Sequence, residues 1–249
     1  MGFLPAGYPS PEGFTASSRA AFAAGLDALE VGMPGPASAL DGPLIKAAAA
    51  QASHHVTSPE EALKLAAASR SRDDDTVVAL AHASLFRETD EEAFLGLLDD
   101  TDIDAYLLPE HPIDEQIAIG AVARSRGIEP VLFLHLAKDL QLIAASELEE
   151  PVIYLQSADL RTGGTFDSDK ARERLSELAE ALKAKPYHVC VGFGVRGRDE
   201  VETVIDAGAD GAIIGTRFVQ AAAAGEASHT AALVDEVTPA LIRPDRVRA

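Results

Sequence analysis

The sequence predicts an α/β fold, a single (β/α)8 TIM barrel spanning residues 1–249. Three observations carry this reading. Short apolar runs rich in β-branched residues alternate eight times with Ala-, Glu- and Leu-rich segments of helical period. Glycines gather after the last three of those runs, where a parallel barrel carries its anion-binding loops. A length of 249 residues suits one such barrel, and no Gly/Ser/Pro linker is long enough to divide the chain.

In chain order, the strands are expected at 3–6, 28–31, 76–81, 105–108, 130–134, 152–156, 189–192 and 212–214. The helices are expected at 11–25, 44–53, 59–69, 90–98, 113–126, 139–145, 168–184 and 199–207, with a C-terminal stretch at 216–241. The clearest helix start is Thr57-Ser58-Pro59-Glu60-Glu61, which supplies a cap, a proline in the first turn and early acids. Leu26-Asp27-Ala28, Ile103-Asp104-Ala105 and Ala209-Asp210-Gly211 repeat one pattern at the entry to even-numbered strands. There the Asp side chain is expected to cap the incoming turn. An open doubly wound sheet would want a Gly-x-Gly-x-x-Gly loop after the first strand, and Ala6-Gly7-Tyr8-Pro9 does not provide it.

Composition excludes several classes of function. The formal net charge is −19, with six Lys and fifteen Arg against 40 acids. A surface of that sign repels nucleic acid and anionic membranes alike. No apolar run reaches 18 residues, and the opening stretch lacks the basic segment of a signal peptide, so a cytoplasmic location is expected. Cys190 stands alone, which excludes an internal disulfide or a thiolate cluster. Any phosphorylated substrate must be drawn in by a local positive field against the global one.

In a barrel the chemistry sits at the C-terminal ends of the strands. The polar residues there are Glu30, His82, Glu110, His135 and the stretch from Tyr154 to Asp159, with Asp41 on the loop after strand two. Thr162-Gly163-Gly164-Thr165, Gly192-Phe193-Gly194 and Gly215-Thr216 follow strands six, seven and eight. Such loops let backbone N–H groups approach a phosphate without any lysine. His54-His55 reads as an exposed loop pair, and no acid or thiol stands at ligand spacing to make it a metal site.

Beyond these patterns the chain resembles the tryptophan synthase alpha subunit family over nearly its whole length. The likeness rests on Phe3-Leu4-Pro5-Ala6-Gly7-Tyr8-Pro9-Ser10, on Ala28-Leu29-Glu30-Val31-Gly32-Met33-Pro34 and on Leu40-Asp41-Gly42-Pro43. It continues in Val191-Gly192-Phe193-Gly194-Val195, Gly208-Ala209-Asp210-Gly211 and Ile214-Gly215-Thr216. The resemblance implies retro-aldol cleavage of indole-3-glycerol phosphate into indole and glyceraldehyde 3-phosphate, with neither metal nor organic cofactor. It implies Glu30 as the acid–base group on the indole C3 and the glycerol hydroxyl, and Asp41 as the acceptor of the indole N–H. It implies a phosphate nest at Gly163, Gly164, Gly194, Val195, Gly215 and Thr216, Tyr154 on the indole pocket, and a β subunit as partner.

The chain departs from the family at particular places. Pro34-Gly35-Pro36-Ala37-Ser38 replaces the family's Pro-Phe-Ser-Asp-Pro, the loop that touches the β subunit and orders the aspartate. Glu110 stands for an Asp, and His82 for a Tyr; His82 reads as a satisfied pocket histidine. Without the resemblance, Glu30 could pair with an arginine and Asp41 could be a turn former, and His135 could face the pocket or fill the barrel. Arg217 reads as a solvated helix residue. Two alternatives stay open on sequence alone. One is a stand-alone or repurposed barrel enzyme of aldolase or isomerase type. The other is a barrel that binds a phosphometabolite without turnover.

Overall fold

The computed structural model describes residues 1–35, 38–87, 89–135, 138–157 and 166–241. Its eight strands are β1 (Gly2–Pro5), β2 (Ala28–Gly32), β3 (Thr76–Leu80), β4 (Ala105–Leu107), β5 (Glu129–Leu134), β6 (Val152–Gln156), β7 (His188–Gly192) and β8 (Gly211–Ala212). They pair in parallel in sequence order. A parallel bridge between Gly2 and Ile214 brings the last strand back to the first, with Phe3 N–H donating to the Ile214 carbonyl at 3.1 Å and Ile214 N–H to that of Met1 at 3.0 Å. This is the expected α/β barrel. β8 is shorter than expected, since the apolar run at 212–214 keeps only its start in the ladder and Ile214 joins as a single bridge.

Ten α-helices lie among the described residues: α1 (Pro11–Ala23), α2 (Pro43–Ala52), α3 (Pro59–Ala67), α4 (Glu91–Asp100), α5 (Ile113–Arg124), α6 (Asp139–Ala145), α7 (Ser168–Ala181), α8 (Arg198–Asp206), α9 (Thr216–Ala223) and α10 (Ser228–Leu241). Their starts follow local chemistry. Ser10, Ser58, Asp90 and Asp167 accept from the N–H groups of Gly13, Glu61, Ala93 and Lys170 at 2.8–3.2 Å, satisfying amides that have no partner inside the helix. The expected stretch at 216–241 is two helices. Gly225, at φ 82°, takes a left-handed turn that ends α9, and the chain restarts at Ser228.

Alternation along the strands divides the core in two. Val78, Leu80, Ala105, Leu107, Val131, Phe133, Tyr154 and Ile213 form one buried cluster inside the barrel. Their neighbours, such as Leu29, Val31, Val77, Leu132, Ile153 and Val191, join the larger layer between sheet and helices. The repeated Asp pattern has a physical role, though not the expected one. Asp104 and Asp210 accept from the N–H groups of Val77 and Val189 at 2.7 and 2.8 Å, so each caps the start of the preceding strand rather than its own turn. No helix among the described residues is long and apolar enough to cross a membrane.

Candidate active site

Residues on all eight strands or in the loops after them surround one cavity. It encloses about 670 Å³ of empty space, part of it open to solvent. Glu30, Asp41 and Tyr154 line it together with Gly194, Val195, Gly215 and Thr216. The sequence-predicted residues thus converge on one place, although Glu30 and Thr216 lie far apart in the chain. Gly163 and Gly164 lie outside the described residues. Phe3, Leu80, Leu107, Phe133, Phe193 and Ile213 form apolar walls. Phe133, Tyr154 and Phe193 pack ring on ring, with centroids 5.1–6.1 Å apart. A planar aromatic ligand would find both stacking faces and edges there.

Glu30 occupies the middle of β2, paired in register with Phe3 and Val78, and alternation turns its side chain into the barrel. Only 3% of it is exposed, and Oε2 has no hydrogen-bond partner. Burial pushes its carboxyl up to about 8, and the carboxylate of Asp41 adds to the rise. At neutral pH Glu30 is therefore chiefly protonated, held ready to give a proton.

Asp41 stands on the loop between β2 and α2. Its Oδ2 accepts the Ser38 N–H at 3.0 Å and lies 3.8 Å from His82 Nε2. Its carboxyl is raised above the usual carboxylate range by burial, against the pull of His82 and the Ser38 hydrogen bond. His82 lines the cavity, and its Nδ1 lies 3.8 Å from Glu110 Oε1 without a hydrogen bond. The expectation of a satisfied histidine is thus corrected: the ring is wedged between two carboxylates. Burial alone would raise Glu110. Hydrogen bonds from Ser38 and Ala83, with His82 and His111 nearby, more than offset this and hold it low.

Tyr154 is buried, and burial, with Glu30 beside it, holds its phenol well above the usual value. Its ring explains Gly192. A Cβ at that position would lie 2.3 Å from the Tyr154 hydroxyl and 2.6 Å from Cζ, so only glycine leaves room for the aromatic wall. Gly192→Ala is expected to destabilise the fold by about 1–3 kcal/mol through displacement of that ring. A thermal melt checks this, and an unchanged midpoint would count against the packing described.

On the other side of β1, the loop after β7 carries Phe193 at φ 64° and Gly194 at φ 80°, two successive left-handed residues. Gly215 begins α9 without any side-chain cap, which leaves first-turn N–H groups at the cavity wall. Arg196 also lines the cavity, a residue that the glycine pattern alone does not single out. A basic residue two positions after Gly192-Phe193-Gly194 is the signal that points to it. Arg217 points elsewhere, in a two-pronged pair with Glu236 at 2.6 and 2.7 Å. His135 is not on the cavity wall; its ring meets Phe133 edge-on and bonds the Pro109 carbonyl, and burial lowers its pKa. His54 and His55 are exposed, and no group of three metal-binding side chains occurs among the described residues.

With this geometry in place, the family model described as tryptophan synthase alpha chain matches residues 1–240. The chain belongs to the tryptophan synthase alpha chain family. The tryptophan synthase alpha chain of Photobacterium profundum is 32% identical over 234 residues, 93% of this chain and 86% of that one. The one from Synechococcus sp. strain CC9902 is 30% identical over the same shares. The solved tryptophan synthase A-subunit of Pyrococcus furiosus superposes with a TM-score of 0.79 at 22% identity, covering 96% of both chains. Membership in the tryptophan synthase alpha chain family makes this chain a lyase of that type.

Proposed function

We propose that this barrel cleaves indole-3-glycerol phosphate to indole and glyceraldehyde 3-phosphate, with Glu30 and Asp41 as the reacting carboxyl groups. One observation carries the assignment of residues. A buried Glu30 with a raised pKa and an unpartnered oxygen shares an apolar cavity with Asp41 and with the uncapped start of α9.

Each step follows from that arrangement. Protonated Glu30 gives its proton to C3 of the indole, and the ring becomes an iminium cation. The Asp41 carboxylate accepts the indole N–H and stabilises that charge within a cavity of largely apolar walls. Glu30, now a carboxylate, takes the proton of the glycerol hydroxyl. The C–O bond becomes a carbonyl, the carbon–carbon bond breaks, and its electron pair restores the aromatic ring. Glu30 ends protonated, as it began. The aromatic wall of Phe133, Tyr154 and Phe193 receives the indole. N–H groups near Gly194–Val195 and Gly215–Thr216 receive the phosphate, aided by the positive end of the α9 dipole.

Arg196 belongs to this reading as a rim charge that opposes the net −19 of the chain. Arg196→Ser is expected to raise KM for the phosphorylated substrate by roughly 3- to 10-fold at low ionic strength, with kcat nearly unchanged. The gap should close toward 1 M salt, where the Debye length is about 3 Å. A salt-independent KM difference, or none, would remove Arg196 from the site.

A β subunit is the partner that this reading implies, docking over the loop that includes Pro34 and Gly35. That loop lacks the family's aromatic and acidic residues, so weaker pairing is expected. Soaking with glycerol phosphate tests the anion site directly, with density expected beside Gly194–Val195 and at the start of α9. An anion seated elsewhere, with this nest empty, would contradict it.

A further inference from the structure

Asp41 sits on no regular element, and the loop before it, Gly35-Pro36-Ala37-Ser38-Ala39, has no large side chain with which to anchor itself. What holds Asp41 is a set of hydrogen bonds converging on Ser38 and Glu110. The Ser38 N–H donates to Asp41 Oδ2 at 3.0 Å, and the Asp41 N–H donates back to the Ser38 carbonyl at 3.3 Å. Ser38 Oγ accepts from the Leu40 N–H at 3.1 Å and donates to Glu110 Oε1. The second Glu110 oxygen accepts from the Ala83 N–H at 2.8 Å. One carboxylate therefore ties together the loops that follow β2, β3 and β4. Ser38 is buried, 4% exposed, and neither it nor Glu110 lines the cavity.

We propose that Ser38 and Glu110 are positioning residues, a clip that fixes the Asp41 carboxylate toward the cavity before substrate arrives. This rests on the proposed role of Asp41. The chemistry explains why both halves are needed. Glu110, an acceptor only, takes one bond from Ser38 and one from the β3 loop, and so carries the position of that loop to Ser38. Ser38 spends its hydroxyl proton on Glu110, which leaves its N–H for Asp41. An alanine at 38 would keep the N–H but lose the anchor. A glutamine at 110 would keep the shape but present a donor to one of two groups that need an acceptor. Misplacement of a reacting group by about 1 Å can cost on the order of 10² in rate, so a small slackening of this loop is visible in kcat.

The test uses the full-length protein and indole release from indole-3-glycerol phosphate. Ser38→Ala and Glu110→Gln are expected to lower kcat about 10-fold or more with KM within about 2-fold. Ser38→Thr, which restores a hydroxyl, is expected to recover most of the loss. The double variant Ser38→Ala/Asp41→Asn should turn over no more slowly than Asp41→Asn alone, because the clip acts only through Asp41. Amide exchange over residues 38–42 gives a readout free of turnover and should quicken in both Ser38→Ala and Glu110→Gln. Wild-type kcat in Ser38→Ala, losses that multiply in the double variant, or unchanged exchange would overturn the clip while leaving the role of Asp41 standing. Full turnover in Asp41→Asn would overturn that role and the clip with it.

Discussion

Replacement of Glu30 by Gln is expected to cut indole release by about 10²–10⁴-fold and, in the same protein, to make the fold more stable at alkaline pH. Gln keeps the shape of the side chain but cannot pass a proton, and proton transfer by a placed group is worth about that much in rate. The stability effect follows from burial. Glu30 titrates near 8 in the folded chain and near 4.5 when exposed. Its folded-state pKa is raised, so its contribution is fully favourable below about 4.5 and is lost as pH rises through 8. At one pKa unit per 1.36 kcal/mol, the loss by pH 9 approaches about 5 kcal/mol, an upper figure. Gln carries no such penalty. The gain in stability of Glu30→Gln over wild type should therefore grow between pH 5 and pH 9, whatever the packing of the amide adds at every pH. Denaturant melts across that range check it. A pH-independent difference would mean that Glu30 is not held protonated.

Asp41→Asn carries the second large effect, a fall in kcat of about 10²–10³-fold, as expected for loss of one preorganised electrostatic partner of a charged intermediate. In the proposed mechanism the two carboxyl groups act in opposite ionisation states. Asp41 works ionised, and burial raises it, so activity should fall toward acid at a pH above the usual carboxylate range. Glu30 works protonated, so activity should fall toward base near pH 8. The profile of kcat/KM is therefore expected to be a bell. In Asp41→Asn the residual activity should lose its acid limb and keep its alkaline limb. A variant that retains both limbs would assign the acid limb to another group.

Much of this was legible in the sequence because it is written in local terms. Strands such as Val152–Gln156 and caps such as Ser58 are decided by a few neighbouring residues, and they stand where the pattern put them. The run from 216 to 241 misled because helical period continues on both sides of Gly225, and a single left-handed residue suffices to part it. Within the site, the meeting of Glu30 and Gly215 at one cavity is legible because a barrel gathers its inward-facing strand residues and the loops after them at one mouth. The Ser38–Glu110 hydrogen bond was not legible: its partners lie 72 residues apart and meet only because β2 and β4 flank β3. His82 was misjudged for the same reason, since its surroundings come from the loops after β2 and β4, which no local pattern reports.

The most direct measurement is indole release from indole-3-glycerol phosphate by the purified wild-type chain, alone and with a tryptophan synthase β subunit. The account predicts indole and glyceraldehyde 3-phosphate in equal amounts, formed fastest below pH 8 and lost in Glu30→Gln. No indole under either condition, from a protein that still binds glycerol phosphate, would contradict it.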